Sequence, residues 1–136
     1  RFLVIQVSVG GRMLKARDIH HALQQSVHRN FGEFGMGSII SSLQARCLEP
    51  RTGIFVLRTN RDTVRKVHVA LTLITTVSGV EASFRVLRIA GSTRTCRPKA
   101  IRILETALDK LPDTLEEEER SAIISAFGRD FEAFQG

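Results

Sequence analysis

The side chains able to do chemistry in this sequence gather in "RIAGSTRTCRPKA", residues 88–100, with four histidines elsewhere (His20, His21, His28 and His68). Four chemistries compete for the stretch: a cysteine nucleophile, a metal site, a phosphate grip and a plain basic loop. Cys96 sits among cations at the start of a helix-like run, a setting that lowers thiol pKa values. A nucleophilic cysteine also needs a base beside it in space, and no histidine stands at a known catalytic spacing; a packed or partly buried thiol is the better reading. His20, His21 and His28 share the polar side of one helix-like stretch without a second ligand cluster, which suits a solvated face better than a metal site. The acidic run Glu116–Glu119 stands at a helix start, where carboxylates complement the macrodipole, so it needs no acid–base role.

The arginines carry more. Residues 82–104 contain Arg85, Arg88, Arg94, Arg97, Lys99 and Arg102 and no acid. Amides at a helix start point at an anion. Ser92, Thr93 and Thr95 add hydroxyl donors, and Gly91 permits a close backbone approach. The candidate phosphate-contacting set is therefore Arg88, Ser92, Thr93, Arg94, Thr95, Arg97, Lys99 and Arg102, with no residue assigned to catalysis or metal binding. The charge of the whole chain agrees. Lys and Arg total 20 against 14 acids, and residues 1–110 carry +11 while residues 111–136 carry −5. Arginine outnumbers lysine, and the guanidinium fork matches phosphate geometry. The competing reading is a basic protein with no polyanion partner.

The elements that must position this set follow from periodicity. "RFLVIQVSV" reads as a strand buried on both faces, ended by Gly10 and Gly11. From Arg17 to Phe31 the apolar stripe Ile19, Ala22, Leu23, Val27 and Phe31 predicts a helix, and "GEFGMGS" reads as a glycine-punctuated connection. "LQARCLE", the turn "PRTG" and "IFVLRT" predict a hairpin. Asn60 is a candidate cap for a helix with the stripe Val64, Val67, Leu71, Ile74 and Val77, closed by Gly79. Residues 82–90 predict a fourth strand. Pro98 suits the first position of the next helix, which carries Ile101, Leu104, Leu108 and Leu111 and ends at Pro112. Thr114 and Glu117 form a candidate capping box for a last helix with Ile123, Ile124, Phe127, Phe131 and Phe134.

The predicted fold class is an α/β sandwich: a ferredoxin-like, RNA-recognition-module-like four-stranded antiparallel sheet, βαββαβ, plus two C-terminal helices. Residues 1–110 form the ferredoxin-like RNA-binding domain with its third helix, and 111–136 an acidic C-terminal helix of the same domain. The two middle strands offer Phe2 and Phe55 among aliphatic residues such as Val4 and Leu57, and no Tyr or Trp. Backbone and shape recognition therefore fits better than base stacking. Aliphatic residues on both sides of the middle strands require cover on a second face, from another protein and in part from the last two helices.

At 136 residues the chain has the size of one domain, and 43% hydrophobic residues suffice for a core. Apolar runs such as 2–5 and 69–71 are far too short for a bilayer, so no membrane partner is expected. No stretch reads as a signal peptide, although a chain opening in a strand-like run without Met leaves any targeting segment out of sight. Two cysteines without a secretory context suggest free thiols in a reducing compartment.

Five blocks, in order and at similar spacing, resemble the Pop-five family, the smallest core subunit of archaeal and eukaryotic ribonuclease P, which eukaryotes share with ribonuclease MRP. They are "RFLVIQV", "NFGEFG" at 30–35, "TGIFVLRTNRD" at 52–62, "ALTLIT" at 70–75 and "GSTRTCRPKAI" at 91–101. The resemblance covers residues 1 to about 110. Ser92 and Thr93 stand where the family pattern has Thr and Ile. The looser match of the acidic last helix to eukaryotic members tilts the source towards a eukaryote.

The resemblance implies a non-catalytic subunit of an endoribonuclease particle. Its RNA, with Mg2+, hydrolyses the phosphodiester at the 5′ end of mature tRNA, and the protein binds none of that metal itself. Implied partners are the ribonuclease P RNA, precursor tRNA as substrate of the complex, an Rpp-thirty-like TIM-barrel subunit, and a paralogous subunit or second copy. Implied surroundings are the nucleus and nucleolus in a eukaryote, or the cytoplasm in an archaeon. The alternatives on the residues alone are a free-standing single-strand RNA binder and, less favoured, a small phosphate-handling enzyme on a ferredoxin-like scaffold.

Overall fold

β1 (Phe2–Val9) is hydrogen-bonded on both edges, because its β-branched run lets every side chain pack on one face of a sheet or the other. A computed structural model describes residues 1–10 and 14–134; Gly11, expected to help end β1, lies outside them. In chain order, β1 is followed by α1 (Ala16–Ile40), β2 (Gln44–Glu49), β3 (Ile54–Arg58) and α2 (Val64–Thr72). Then come β4 (Thr76–Val77), β5 (Val80–Ala90), α3 (Thr93–Asp109), α4 (Glu117–Asp130) and a 3-10 turn at Phe131–Ala133. The sheet runs β2-β3-β1-β5-β4 and every pair is antiparallel.

The sheet has five strands rather than the expected four, because the short β4 adds an edge beside β5. Helices flank it on both faces, the last two covering the second face as expected in part. Alternation along β1 divides the core. Leu3, Ile5 and Val7 pack with Phe55 and Leu57 of β3 beneath α1 and α2, against Ile19, Leu23, Val27, Val67 and Leu71. Phe2 and Val4 pack with Ile54 and Val56 beneath α3 and α4, against Cys96, Ala100, Leu104, Phe127, Phe131 and Phe134. The second face is thus covered from within the chain. Ser26 of α1, itself buried, donates from Oγ to the Ala70 carbonyl at 2.6 Å and ties α1 to α2.

Several element ends also differ. "GEFGMGS" is no connection: the chain bends at Gly32 (φ 73°, ψ −177°) and resumes as helix to Ile40. That backbone region is open almost only to glycine. A Cβ at Gly32 would meet no atom within 4 Å, so Gly32→Ala isolates the conformational term. We expect a loss of about 1–3 kcal/mol in denaturant unfolding; an unchanged midpoint would show that the kink relaxes freely. At the β2–β3 turn Gly53 (φ 74°) lies so close to β1 that a side chain would run into the Val7 carbonyl oxygen.

α2 stops at Thr72 and takes Thr63 as its first cap; Asn60 instead accepts from the Thr63 N–H at 3.1 Å. Ile74 falls beyond the helix and Val77 enters β4, because the β-branched run Thr72, Ile74, Thr75, Thr76 and Val77 favours extended backbone. Gly79 (φ 79°) turns the β4–β5 hairpin rather than closing a helix. α3 begins at Thr93, capped by Ser92, so Pro98 lies inside it. α4 is preceded by Glu116, without the Thr114 capping box.

Candidate nucleic-acid interface

β5 would ordinarily send Arg85 and Arg88 to opposite faces, since three residues apart is an odd step along a strand. A β-bulge prevents this. Gln6 of β1 pairs with Arg85 and Ile5 with Val86, but Val4 pairs with Arg88, leaving Leu87 as the extra residue. Both arginines therefore stand on the face of Val4 and Gln6. That face is roofed by α3 only in part, and the gap is a cleft of about 710 Å3. Its cationic residues are Arg85 and Arg88 from β5, Arg51 from the β2–β3 turn, Lys99 and Arg102 from α3, and Lys110 at the C-cap of that helix; no acidic residue lines it.

Lys99, Arg102, Thr106 and Lys110 point one way because steps of three and four residues keep one face of a helix. The opposite side of the same helix buries Cys96, Ala100, Leu104 and Leu108, which seat it on the sheet. The floor between rim cations is apolar: Ile54, Leu87, Ile103, Ala107 and Leu111. Arg51 is drawn to one end by Glu119 of α4 at 3.1 Å and by the buried Glu49 at 3.7 Å. Arg85 donates to the Gln6 Oε1 at 3.2 Å, and Gln6 Nε2 donates to the Thr52 carbonyl at 3.0 Å. Among the described residues Arg88, Lys99, Arg102 and Lys110 form no ion pair. Like charges crowded without a counter-charge cost stability, so such a cleft suits a polyanion.

The expected phosphate-contacting residues are split by this geometry. Arg88, Lys99 and Arg102 come together in the cleft. Arg94 and Arg97 are exposed but do not line it, and the Arg97 guanidinium lies over Gly128 of α4. Ser92 and Thr95 cap α3: Ser92 Oγ accepts from the Thr95 N–H at 3.2 Å and lies 3.0 Å from Thr95 Oγ1. Thr93 is the first residue of that helix and half-buried. Arg51 and Lys110 are additional members that sequence alone did not single out; Arg85 was counted in the acid-free stretch without being assigned a contact. The Phe rings are also accounted for. Phe2 meets Phe134 edge-on at 5.2 Å and Phe55 meets Phe84 at 6.2 Å, on opposite faces of the sheet and all buried, so none of these four is open to a base; Phe34 of α1, away from the cleft lining, is exposed.

Cys96 is fully buried, and burial pushes its thiol up to about 11; burial likewise raises Cys47 to about 12. A thiol held neutral by the fold stabilises it fully below the unfolded pKa near 9. That contribution is lost as pH rises from there through 11 to 12. Iodoacetamide at neutral pH should therefore leave both cysteines unmodified in the folded protein and alkylate both in denaturant; rapid native modification of Cys96 would contradict its burial. Cys96→Ser places a hydroxyl in an apolar site and should cost about 1–3 kcal/mol of stability, with RNA affinity little changed. Among the described residues no three His, Cys, Asp or Glu side chains are grouped to hold a metal ion, and no helix is long and apolar enough to cross a membrane.

The sequence pattern of the Rpp14/Pop5 family matches residues 1–101, from β1 into the N-terminal half of α3. The chain belongs to the Rpp14/Pop5 family. It is 30% identical over 102 residues to the probable ribonuclease P/MRP protein subunit POP5 of Arabidopsis thaliana, spanning 75% of this chain and 68% of that protein. It is 33% identical over 79 residues to the ribonuclease P/MRP protein subunit POP5 of Schizosaccharomyces pombe, spanning 58% and 57%. The Dictyostelium discoideum probable POP5 subunit matches at 32% over 81 residues, 60% of this chain and 47% of the relative. A chain of the cryo-EM structure of yeast ribonuclease MRP shares the fold with a TM-score of 0.52 at 13% identity, covering 77% of this chain and 90% of that one. Family membership reaches through Ile101, so residues 102–136, including Arg102, Lys110 and all of α4, rest on the structure alone.

Proposed function

We propose that this protein is a non-catalytic, RNA-binding subunit of a ribonuclease P or MRP particle, and that its cleft grips the RNA backbone and steadies the catalytic domain of that RNA for 5′ maturation of precursor tRNA. The observation that carries this reading is the cleft lined by six cations and no acid, four of those cations lying within the span that places the chain in the Rpp14/Pop5 family. The hydrolysis and its Mg2+ belong to the RNA. The β2-β3-β1-β5 strand order, with β4 as an added edge, supports a ferredoxin-like ancestry for the sheet. An Rpp-thirty-like subunit and a paralogue or second copy complete the assembly, in the nucleus and nucleolus of a eukaryotic cell.

The test has two arms. Protein recovered from its source under gentle conditions should bring down ribonuclease P or MRP RNA, identified by sequencing. Pure, RNA-free protein should leave precursor tRNA intact in Mg2+. Magnesium-dependent turnover by the pure protein, or recovery without such RNA, would overturn the proposal.

A further inference from the structure

We infer that the cleft takes a single unstacked nucleotide, with its base against the apolar floor and its phosphate on the cationic rim. This rests on the RNA-binding reading above and deepens it. A purely backbone-gripping surface needs charge alone, yet here Leu87, Ile103 and Ala107 form an apolar floor, each only partly buried by the protein. At about 710 Å3 the cleft lies within the range of small-molecule pockets, roughly 300–1,000 Å3, a size that suits one nucleotide rather than a duplex. A duplex therefore reaches only the rim. A bulged or looped-out nucleotide reaches the floor as well.

The platform replaces the missing aromatics. Unstacked bases also lie on guanidinium planes, and Arg85 is fixed by its bond to Gln6 at 3.2 Å, which in turn is tied to the Thr52 carbonyl. Because Gln6 is committed within the protein, the floor offers few free groups to read a base edge. The site accepts any base and selects for its being unpaired.

The experiment compares two RNA hairpins that differ only by one unpaired nucleotide in the stem, with wild type, Ala107→Phe, Thr106→Phe and Lys99→Ala/Arg102→Ala. Wild type should bind the bulged hairpin about tenfold more tightly, the order expected when roughly 55 Å2 of apolar surface leaves water. Filling the floor with Ala107→Phe, or the mouth with Thr106→Phe at an exposed position, should abolish that preference. Lys99→Ala/Arg102→Ala should weaken both hairpins alike. Equal binding of the two hairpins by wild type, or a preference untouched by Thr106→Phe, overturns the nucleotide pocket while leaving the RNA grip standing. Binding of neither hairpin overturns the grip and the pocket together.

Discussion

Arg88→Ala/Lys99→Ala/Arg102→Ala is expected to lower affinity for a ribonuclease P RNA catalytic-domain transcript by about a hundredfold or more, since charged hydrogen bonds contribute about 1.5–3 kcal/mol each. The plot of log affinity against log salt should flatten by roughly two to three units, about 0.7–0.9 per lost phosphate contact. All three side chains are exposed, so circular dichroism and the thermal midpoint should stay near wild type. The companion double variant Arg94→Ala/Arg97→Ala removes the cations outside the cleft and should lose less than about tenfold, with at most a small change in slope. If the double variant loses as much as the triple, the helix start rather than the cleft holds the RNA.

The second large effect is on stability. Phe131 is buried under α4 and stands 5.8 Å from both Phe127 and Phe134, while Phe134 closes on Phe2 of β1. Phe131→Ala should cost about 3–5 kcal/mol, the transfer term plus the cavity. That is a large part of the roughly 5–15 kcal/mol that holds a domain together, and a fall of about 10 °C or more in Tm should accompany it. Calorimetry would decide it; a shift of only a degree or two would mean that α4 is loosely docked. Arg120, which bridges to Asp109 at 3.3 Å and Glu105 at 3.8 Å on α3, is partly exposed and should matter far less.

Periodicity made much of the scaffold legible. β1, the β2–β3 hairpin and the apolar stripes of α1 and α3 follow from spacings of two and of three to four. Two errors had local causes. Ile74 and Val77 continue a helical spacing from Leu71, but propensity beats pattern there, and a two-residue strand is too short to leave a pattern of its own. Glycines at 32, 35 and 37 look like loop punctuation, yet only Gly32 breaks the helix. The site was legible as an acid-free run of cations and no further. Nothing in the sequence near Leu87 announces a bulge, and without it Arg85 and Arg88 face apart. Arg51 joins from a turn far away in the chain, through a contact only the tertiary structure makes.

The two-sided sheet has a consequence for synthesis. Chains leave the ribosome N-terminus first, at about 5–20 residues per second. Phe2 emerges long before its cover, Phe134, at the other end of the fold. For roughly 10 s, then, Phe2, Val4, Ile54 and Val56 form a greasy face on a nascent chain whose other face is already closed by α1 and α2. Until α3 and α4 arrive, that half-built sheet is an adhesive surface. A message that stalls translation within α4 would release a sticky half-sandwich, with the cleft's cationic arm already made and its anchor missing.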